Sequence, residues 1–180
     1  DLEQLFGQGE FWPNVDWSRT KAYSMGLGEI YVNLRGRESR GIVEPGAEYD
    51  ALRAEIRSGL LELVDEATGR KPVENVYTRE QAYGSFDPNV IPDVFVTNSE
   101  GYRVSWQASL GVVTPDLFEV NRQVWSGDHC SVDPDVVPGI LFSSRPLRTD
   151  PRPNMADVPA TVYKVLGLAS PEKLDGEPLF

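Results

Sequence analysis

The 180-residue sequence predicts an α/β fold, because strand-like and helix-like segments interleave along it. Apolar residues alternate at Ile30, Val32 and Leu34, which is the spacing of a strand with one buried face. Between residues 49 and 63 they recur every three or four positions, which predicts an amphipathic helix. A compact apolar run over residues 92–97 follows a proline and predicts a buried strand.

Glycines set the limits of these first elements. Gly26 and Gly28 precede the first strand, and without the third glycine of a dinucleotide-binding loop they indicate a turn. We expect the helix over residues 49–63 to stop at Gly69. The other face of that helix carries charged residues, which we assign to solvent rather than to a site.

The remaining predicted elements are a short strand over residues 72–77, a third strand over residues 139–144 and a closing helix. Asp157 suits the N-cap of that helix, Pro159 its first turn and Gly167 its stop. No internal repeat or shift in composition marks a domain boundary. We therefore expect a single domain.

Composition excludes several classes of partner. A formal net charge of −11 and a pI near 4.5 repel phosphate backbones, which argues against binding to duplex nucleic acid or to an anionic membrane surface. No apolar run approaches the roughly 20 residues that span a bilayer. With 40% apolar residues the chain is rich enough in core-forming side chains for an ordinary globular protein, and we expect it to be soluble.

The single cysteine, Cys130, excludes an internal disulfide framework and favours a reducing compartment such as the cytoplasm. Many exported bacterial proteins also lack disulfides, so the compartment stays open. The chain begins with Asp1 instead of methionine and has no charged-then-apolar opening segment. We therefore expect a processed product, an excised domain or a partial sequence.

A long irregular segment over residues 101–138 is rich in Trp, Gly, Pro and Asp, and such segments tend to carry function. Within it, Gly-Asp-His-Cys at residues 127–130 holds the only histidine and the only cysteine of the chain. Any histidine-dependent chemistry in this chain must therefore use His129.

The surroundings of this tetrapeptide do not support nucleophilic catalysis. Cysteine phosphatases place an arginine where this chain has Val136, and adjacent residues such as His129 and Cys130 point to opposite faces of an extended chain. We therefore predict that Cys130 is a buried small side chain. A Ser-His-Asp triad would need a nucleophile-elbow sequence, which the chain lacks.

Metal binding is the alternative chemistry at this place. Asp128, His129, Asp133 and Asp135 supply an imidazole and carboxylate oxygens, which are ligands that suit zinc or manganese. The competing interpretation is that Asp128 and His129 form a hydrogen-bonded structural pair in a loop. The residues alone leave both interpretations open.

From residue 15 to its end the sequence resembles the C-terminal portion of type I phosphodiesterase/nucleotide pyrophosphatase proteins, members of the alkaline phosphatase superfamily. Three stretches carry the resemblance, and a closing helix and tail add to it. The stretches are residues 17–23 with 30–38, residues 101–107, and residues 125–130 with 134–142, and the closing part is residues 155–168 with 174–179. The first two stretches are specific to the subfamily, whereas the closing helix also occurs in sulfatase-like relatives.

The resemblance implies a partial alkaline-phosphatase-like fold in which residues 1–180 are the C-terminal part of one hydrolase domain. It makes His129 the late metal ligand. Beside it, Asp128 is a candidate for orienting His129 by hydrogen bonding, with a structural role in the loop as the alternative. The parent would hold two divalent metal ions, zinc or manganese, and act on a phosphate ester or nucleotide. The nucleophile motif, the Asp-His-Gly ligand motif and further histidines are absent from this sequence. We therefore expect these to lie in an N-terminal half and this chain alone to be inactive.

Four further side chains are candidates for the substrate cleft, the aromatic ones by stacking on a base and the arginine by facing phosphate. For the tryptophans, packing in the core is the preferred alternative. The four are Trp17, Tyr102, Arg103 and Trp106.

Two rival functions stay open beside the phosphodiesterase. The first is a non-catalytic binding or interaction module that keeps the phosphatase-like architecture. The second is a phosphonate or sulfate ester hydrolase of the same superfamily, which the identity of the missing nucleophile would decide. If the chain is a C-terminal part, it leaves a sheet edge and an apolar face uncovered, and we expect marginal stability or self-association.

Overall fold

The computed structural model describes residue 12 and residues 15–105, 107–108, 116–122, 124, 127, 130, 133–171 and 173–180. The chain separates into two compact units, residues 1–138 and residues 139–180. The predicted α/β class is confirmed in its coarse form, since a four-stranded antiparallel sheet is combined with three helices in the described residues.

The sheet contains strands β1 (Ala22–Ser24), β2 (Glu29–Val32), β3 (Val73–Thr78) and β4 (Val94–Asn98) in the order β1-β2-β4-β3. Every neighbouring pair is antiparallel. The strands predicted around Ile30 and over residues 72–77 and 92–97 are confirmed as β2, β3 and β4. Strand β1 was not predicted separately from β2, because three residues are too few to display a period.

The turn between β1 and β2 explains the glycine pair. Gly26 has φ 97° and Gly28 has φ 80°, backbone conformations that residues with a Cβ rarely adopt. The interpretation of these glycines as turn residues is confirmed. The turn sets the β1–β2 register, in which Tyr23 lies opposite Tyr31.

Helix α1 (Ala47–Glu62) covers one face of the sheet. Its Leu60 and Leu61 pack with Val76 of β3 and Val94 of β4. The helix ends at Leu63, earlier than expected, and Gly69 instead lies in a turn that a bridge between residues 65 and 70 closes. Among the described residues, no helix is both long and apolar enough to cross a membrane.

A short helix, α2 (Arg79–Ala82), follows β3 directly. It begins at Thr78, whose side chain and that of Gln81 form a reciprocal capping box. The amide of Arg79 donates to the carbonyl of Asp93, 3.2 Å away, so this turn is fastened to the start of β4.

The second unit contains helix α3 (Asp157–Leu166), which confirms the predicted closing helix. Gly167 ends it with φ 63°, as predicted. The N-cap assignment was wrong by one position, because Ala156 occupies the cap. The Asp157 carboxylate instead accepts hydrogen bonds from the amides of Asn154 (3.0 Å) and Glu177 (2.9 Å), which ties the tail to the helix start.

The strand predicted over residues 139–144 was wrong. These residues belong to no helix, strand or bridge, and Ile140 and Phe142 are exposed. An apolar run becomes a strand only where a neighbouring strand accepts its backbone hydrogen bonds. The sequence pattern cannot supply that information.

Candidate functional site

The structure describes the flanks of the predicted metal-ligand loop. Asp128 and His129 lie outside the described residues, so the predicted ligand and its orienting carboxylate stay predictions. Gly127 before them, and Cys130 and Asp133 after them, are described. The contacts described below are those of the two ends of this loop.

The C-terminal end of the loop is fixed by Asp133, whose side chain is completely buried. Its Oδ2 accepts hydrogen bonds from Thr97 Oγ1 (2.7 Å), Asn75 Nδ2 (2.9 Å) and Tyr77 Oη (3.0 Å). Its Oδ1 accepts from the amide of Asp135 at 2.8 Å. We call Asp133 with these three side-chain donors the Asp133 cluster.

Strand pairing places the three donors together. Asn75 lies opposite Thr97 in the β3–β4 register, and Tyr77 follows Asn75 by two positions on the same face. Val76, between them, points to the opposite face and packs against α1. The outer face of β3 and β4 therefore presents an amide and two hydroxyls toward one carboxylate.

Among the described residues, the electrostatics of this cluster depend on burial and hydrogen bonds. Burial raises the pKa of Asp133, but the bonds from Asn75 and Thr97 and from the Asp135 amide outweigh it, and the pKa lies below its ordinary value. Burial and the carboxylate together raise the pKa of Tyr77. The described residues place no cation against Asp133. Within the described part of the chain, neutral donors stabilise the buried negative charge.

The N-terminal end of the loop is fixed by Arg103, whose Nη1 donates to the carbonyl of Gly127 at 3.2 Å. The neighbouring Tyr102 donates to Asp65 Oδ2 at 2.8 Å and contacts Thr68 Oγ1 at 2.7 Å. Tyr102 thus belongs to a local hydrogen-bond cluster beyond the end of α1. Arg103 is a candidate cleft residue that the structure brings to the N-terminal end of the loop.

The other two candidates for the cleft are tryptophans. Trp17 stacks on Trp12 with ring centroids 6.2 Å apart and meets Tyr23 edge-on at 5.3 Å. Trp17 is half-buried in an aromatic group over the β1–β2 hairpin. These contacts favour a packing role for Trp17 over a role in the cleft. Trp106 lies outside the described residues.

The other described residues of the loop are Cys130 and Asp133, and Asp135 follows them. Cys130 is half-buried rather than fully buried. Asp135 is exposed, whereas both oxygens of Asp133 are engaged by the sheet and the turn. The described contacts of Asp133 therefore hold its segment against the sheet. Among the described residues, no group of three His, Cys, Asp or Glu side chains could hold a metal ion.

Sequence reasoning missed a second buried carboxylate, Asp93. Arg37 binds it in a bidentate manner, with Nη1–Oδ1 at 2.9 Å and Nη2–Oδ2 at 2.6 Å. Tyr49 Oη and the Val32 amide each donate to it at 2.6 Å, and Arg79 Nη1 lies 3.2 Å from Oδ1. We call this group the Asp93 cluster. In the sequence, the only sign of a buried Asp93 was its position between Pro92 and a predicted buried strand.

The Asp93 cluster links four segments. Arg37 belongs to the chain after β2, Tyr49 to α1, and Arg79 to α2, while Asp93 itself directly precedes β4. Burial raises the pKa of Asp93, but the bonds from Arg37 and Tyr49 hold it below its ordinary value. Its charge is neutralised inside the fold, so this cluster has the chemistry of a structural centre.

Comparisons of this chain with protein-family models, with curated proteins and with solved structures gave no match. The phosphodiesterase resemblance therefore stays a prediction from the sequence.

Proposed function

We propose that this chain is the C-terminal part of a metal-dependent phosphodiesterase or nucleotide pyrophosphatase-like hydrolase. One observation carries the proposal. Two stretches that carry the sequence resemblance, residues 101–107 and 125–130, contact each other through the hydrogen bond from Arg103 to Gly127. Segments that serve one site are expected to be neighbours in the fold, although 24 positions separate these residues in sequence.

The chemistry assigned to this chain is limited to one ligand. His129 would supply a neutral imidazole nitrogen to a zinc or manganese ion. Asp128 would accept a hydrogen bond from the N–H of the other ring nitrogen and so orient the ring. Such ions activate a nucleophile and stabilise the leaving oxygen in phosphoryl transfer. Arg103, held at the loop, would place positive charge beside a substrate phosphate.

The nucleophile and the other ligands would come from an N-terminal half. The isolated chain is therefore predicted to have no phosphodiesterase activity. The identity of the nucleophile, Thr, Ser or formylglycine, would also decide between this reaction and the hydrolysis of a phosphonate or sulfate ester.

The test is kinetic and uses the product of the complete reading frame with zinc or manganese. We expect hydrolysis of a generic phosphodiester such as bis(p-nitrophenyl) phosphate. His129→Ala should lower kcat/KM at least about 100-fold, which corresponds to about 2.7 kcal/mol of transition-state stabilisation. Val124→Ala, a change at an exposed neighbouring position, should leave it within about twofold. An unchanged kcat/KM in His129→Ala would refute the ligand role.

Helix α3 supports the expectation of a missing partner surface. Val158, Val162 and Val165 lie on one face and are exposed, whereas the opposite residue Ala160 is buried. Exposed apolar stripes of this kind mark interaction surfaces or promote self-association.

We predict that the isolated chain self-associates through this face. In analytical ultracentrifugation, Val162→Glu should shift the chain toward monomer, because it places a charge in the apolar stripe. Val90→Glu, at an exposed valine elsewhere, is the matched control and should have no such effect. A wild-type chain that stays monomeric at high concentration would count against the fragment interpretation.

A non-catalytic binding module is the second candidate. It is favoured by the Asp133 cluster, in which a carboxylate of the candidate loop is used for structure instead of chemistry. A complete reading frame that lacks the nucleophile and ligand motifs but yields a stable, cooperatively unfolding monomer would support it.

A further inference from the structure

An open groove lies between residues 15–18 and residues 40–42 of the first unit. Its volume is about 450 Å³, within the range of about 300–1,000 Å³ that small-molecule sites occupy. Its lining combines the apolar side chains of Val15, Trp17 and Ile42 with two charged ones, Asp16 and Arg40. We call it the Trp17–Arg40 groove. Apolar walls with a few polar groups are the usual composition of a ligand site.

The two walls of the groove are fastened to each other through Asn33, whose side chain is buried. Its Nδ2 donates to the carbonyls of Trp17 (3.3 Å) and Arg40 (3.0 Å), one in each wall. Behind the second wall, a Cβ at Gly41 would overlap the carbonyl of Leu34, so only glycine allows this close approach. These contacts set the spacing of the walls, and the groove is therefore preorganised.

The guanidinium of Arg40 is exposed and has no acceptor among the described residues. The two other arginines of the same loop are both paired. Arg35 Nε lies 2.8 Å from Glu44 Oε1. Arg37 Nη2 lies 2.6 Å from Asp93 Oδ2. Arg40 therefore stays available to a ligand carboxylate, which a guanidinium binds in a bidentate manner.

Asp16 supplies the opposite charge on the other wall. Its Oδ1 accepts hydrogen bonds from the amide (3.1 Å) and the hydroxyl (2.6 Å) of Ser18. Within the described part of the chain, its Oδ2 has no donor, and Asp16 and Arg40 form no ion pair with each other. The Asp16 side chain is exposed, so Oδ2 can accept from a ligand ammonium group.

We propose that the Trp17–Arg40 groove binds a small zwitterion with an apolar or aromatic side group, of the class of the free apolar amino acids. Arg40 binds the carboxylate and Asp16 the ammonium, while Val15, Trp17 and Ile42 contact the side group. The charges select this class. An anion would meet Asp16 and the field of a chain with a net charge of −11, and a cation would leave Arg40 without a partner. This site goes beyond the proposed function and does not depend on it.

The test compares three ligands that share a benzyl group and differ in charge, in ligand-observed NMR titrations of the intact chain without added metal. L-phenylalanine carries both charges, N-acetyl-L-phenylalanine only the carboxylate, and 2-phenylethylamine only the ammonium. We expect L-phenylalanine to bind at least about fivefold more tightly than either relative, because each relative lacks one charged contact in an exposed site.

Two variants assign the charges to their residues. Arg40→Gln should weaken the binding of L-phenylalanine about fivefold and leave that of 2-phenylethylamine within about twofold. Asp16→Asn, which keeps an oxygen acceptor for Ser18, should weaken L-phenylalanine similarly and leave N-acetyl-L-phenylalanine no weaker. The matched control is Arg35→Gln, at a paired arginine of the same loop that does not line the groove, and it should leave all three affinities within about twofold.

Three results would overturn the proposal. They are no binding of L-phenylalanine at millimolar concentration, binding of either relative as tight as that of L-phenylalanine, and an equal response to Arg40→Gln and Arg35→Gln. In the second case, a tight N-acetyl compound would identify a site for aromatic anions, and a tight amine a site for cations. Hydrolysis of a phosphodiester is no part of the readout, so failure of the proposed function would leave this result unchanged.

Discussion

Asp93 and Asp133 are both completely buried, yet the protein stabilises the two carboxylates in different ways. Asp93 meets two arginines, a tyrosine hydroxyl and a backbone amide, whereas the described partners of Asp133 are all neutral donors. The first arrangement compensates charge with charge. The second leaves a buried negative charge that hydrogen bonds must offset.

The difference separates two tasks. The Asp93 cluster joins α1, α2 and the chain after β2 to the start of β4, so it fixes the frame of the first unit. The Asp133 cluster joins the irregular segment that contains Asp133 to strands β3 and β4. We infer that loss of the Asp93 carboxylate destabilises the whole first unit. Loss of the Asp133 carboxylate should instead detach the segment around residue 133 from β3 and β4.

The largest effect is expected for Asp93→Asn. It leaves Arg37 and Arg79 without their buried counter-charge, and breaking such a buried pair costs about 3–5 kcal/mol. Urea unfolding followed by circular dichroism should show a midpoint lowered accordingly. A loss below about 1 kcal/mol would contradict the structural role of this cluster.

The next effect is the pH dependence of stability, compared between the wild type and Asp133→Asn. The pKa of Asp133 is lower in the folded state than in the unfolded state. Its ionised carboxylate therefore contributes to the free energy of unfolding above the unfolded-state pKa, near 4, and this contribution is lost as the pH falls through the folded-state pKa. We expect the wild type to exceed the variant by about 1.5–3 kcal/mol near neutral pH, as for hydrogen bonds to a charged group. The difference should shrink on acidification, and urea midpoints measured at several pH values would check it.

The smallest effects separate the two clusters one bond at a time. Tyr49→Phe removes one donor to Asp93, and Thr97→Val removes one donor to Asp133, each at a cost of about 1 kcal/mol. The readout is the rate at which a thiol reagent modifies Cys130, the only cysteine of the chain. Tyr49→Phe should leave this rate unchanged, whereas Thr97→Val should raise it. An equal response of the thiol to both variants would mean that the two clusters do not have separate tasks.

Local patterns predicted much of the fold. The spacing of Tyr49, Leu60 and Leu63 predicted α1, and Gly167 predicted the end of α3, because helix spacing and glycine stops are local properties. The run over residues 139–144 has the composition of a strand but pairs with none. Pairing depends on a distant partner, which the pattern does not contain.

The candidate site was less predictable for the same reason. Asp133 was visible as a carboxylate near His129, and its residue type suggested a ligand. Its actual contacts are Asn75, Tyr77 and Thr97, whose arrangement exists only after β3 and β4 have paired. Residue type predicts the available chemistry, while the fold decides whether a side chain uses it for structure.

The proposed function depends on a catalytic half that precedes this chain, so the coding sequence upstream of Asp1 tests it most directly. The account predicts, in the same frame, a Thr or Ser nucleophile motif and an Asp-His-Gly ligand motif. Finding both would make His129→Ala the decisive kinetic variant. A start codon without these motifs, and no partner gene that carries them, would contradict the hydrolase and favour the binding module.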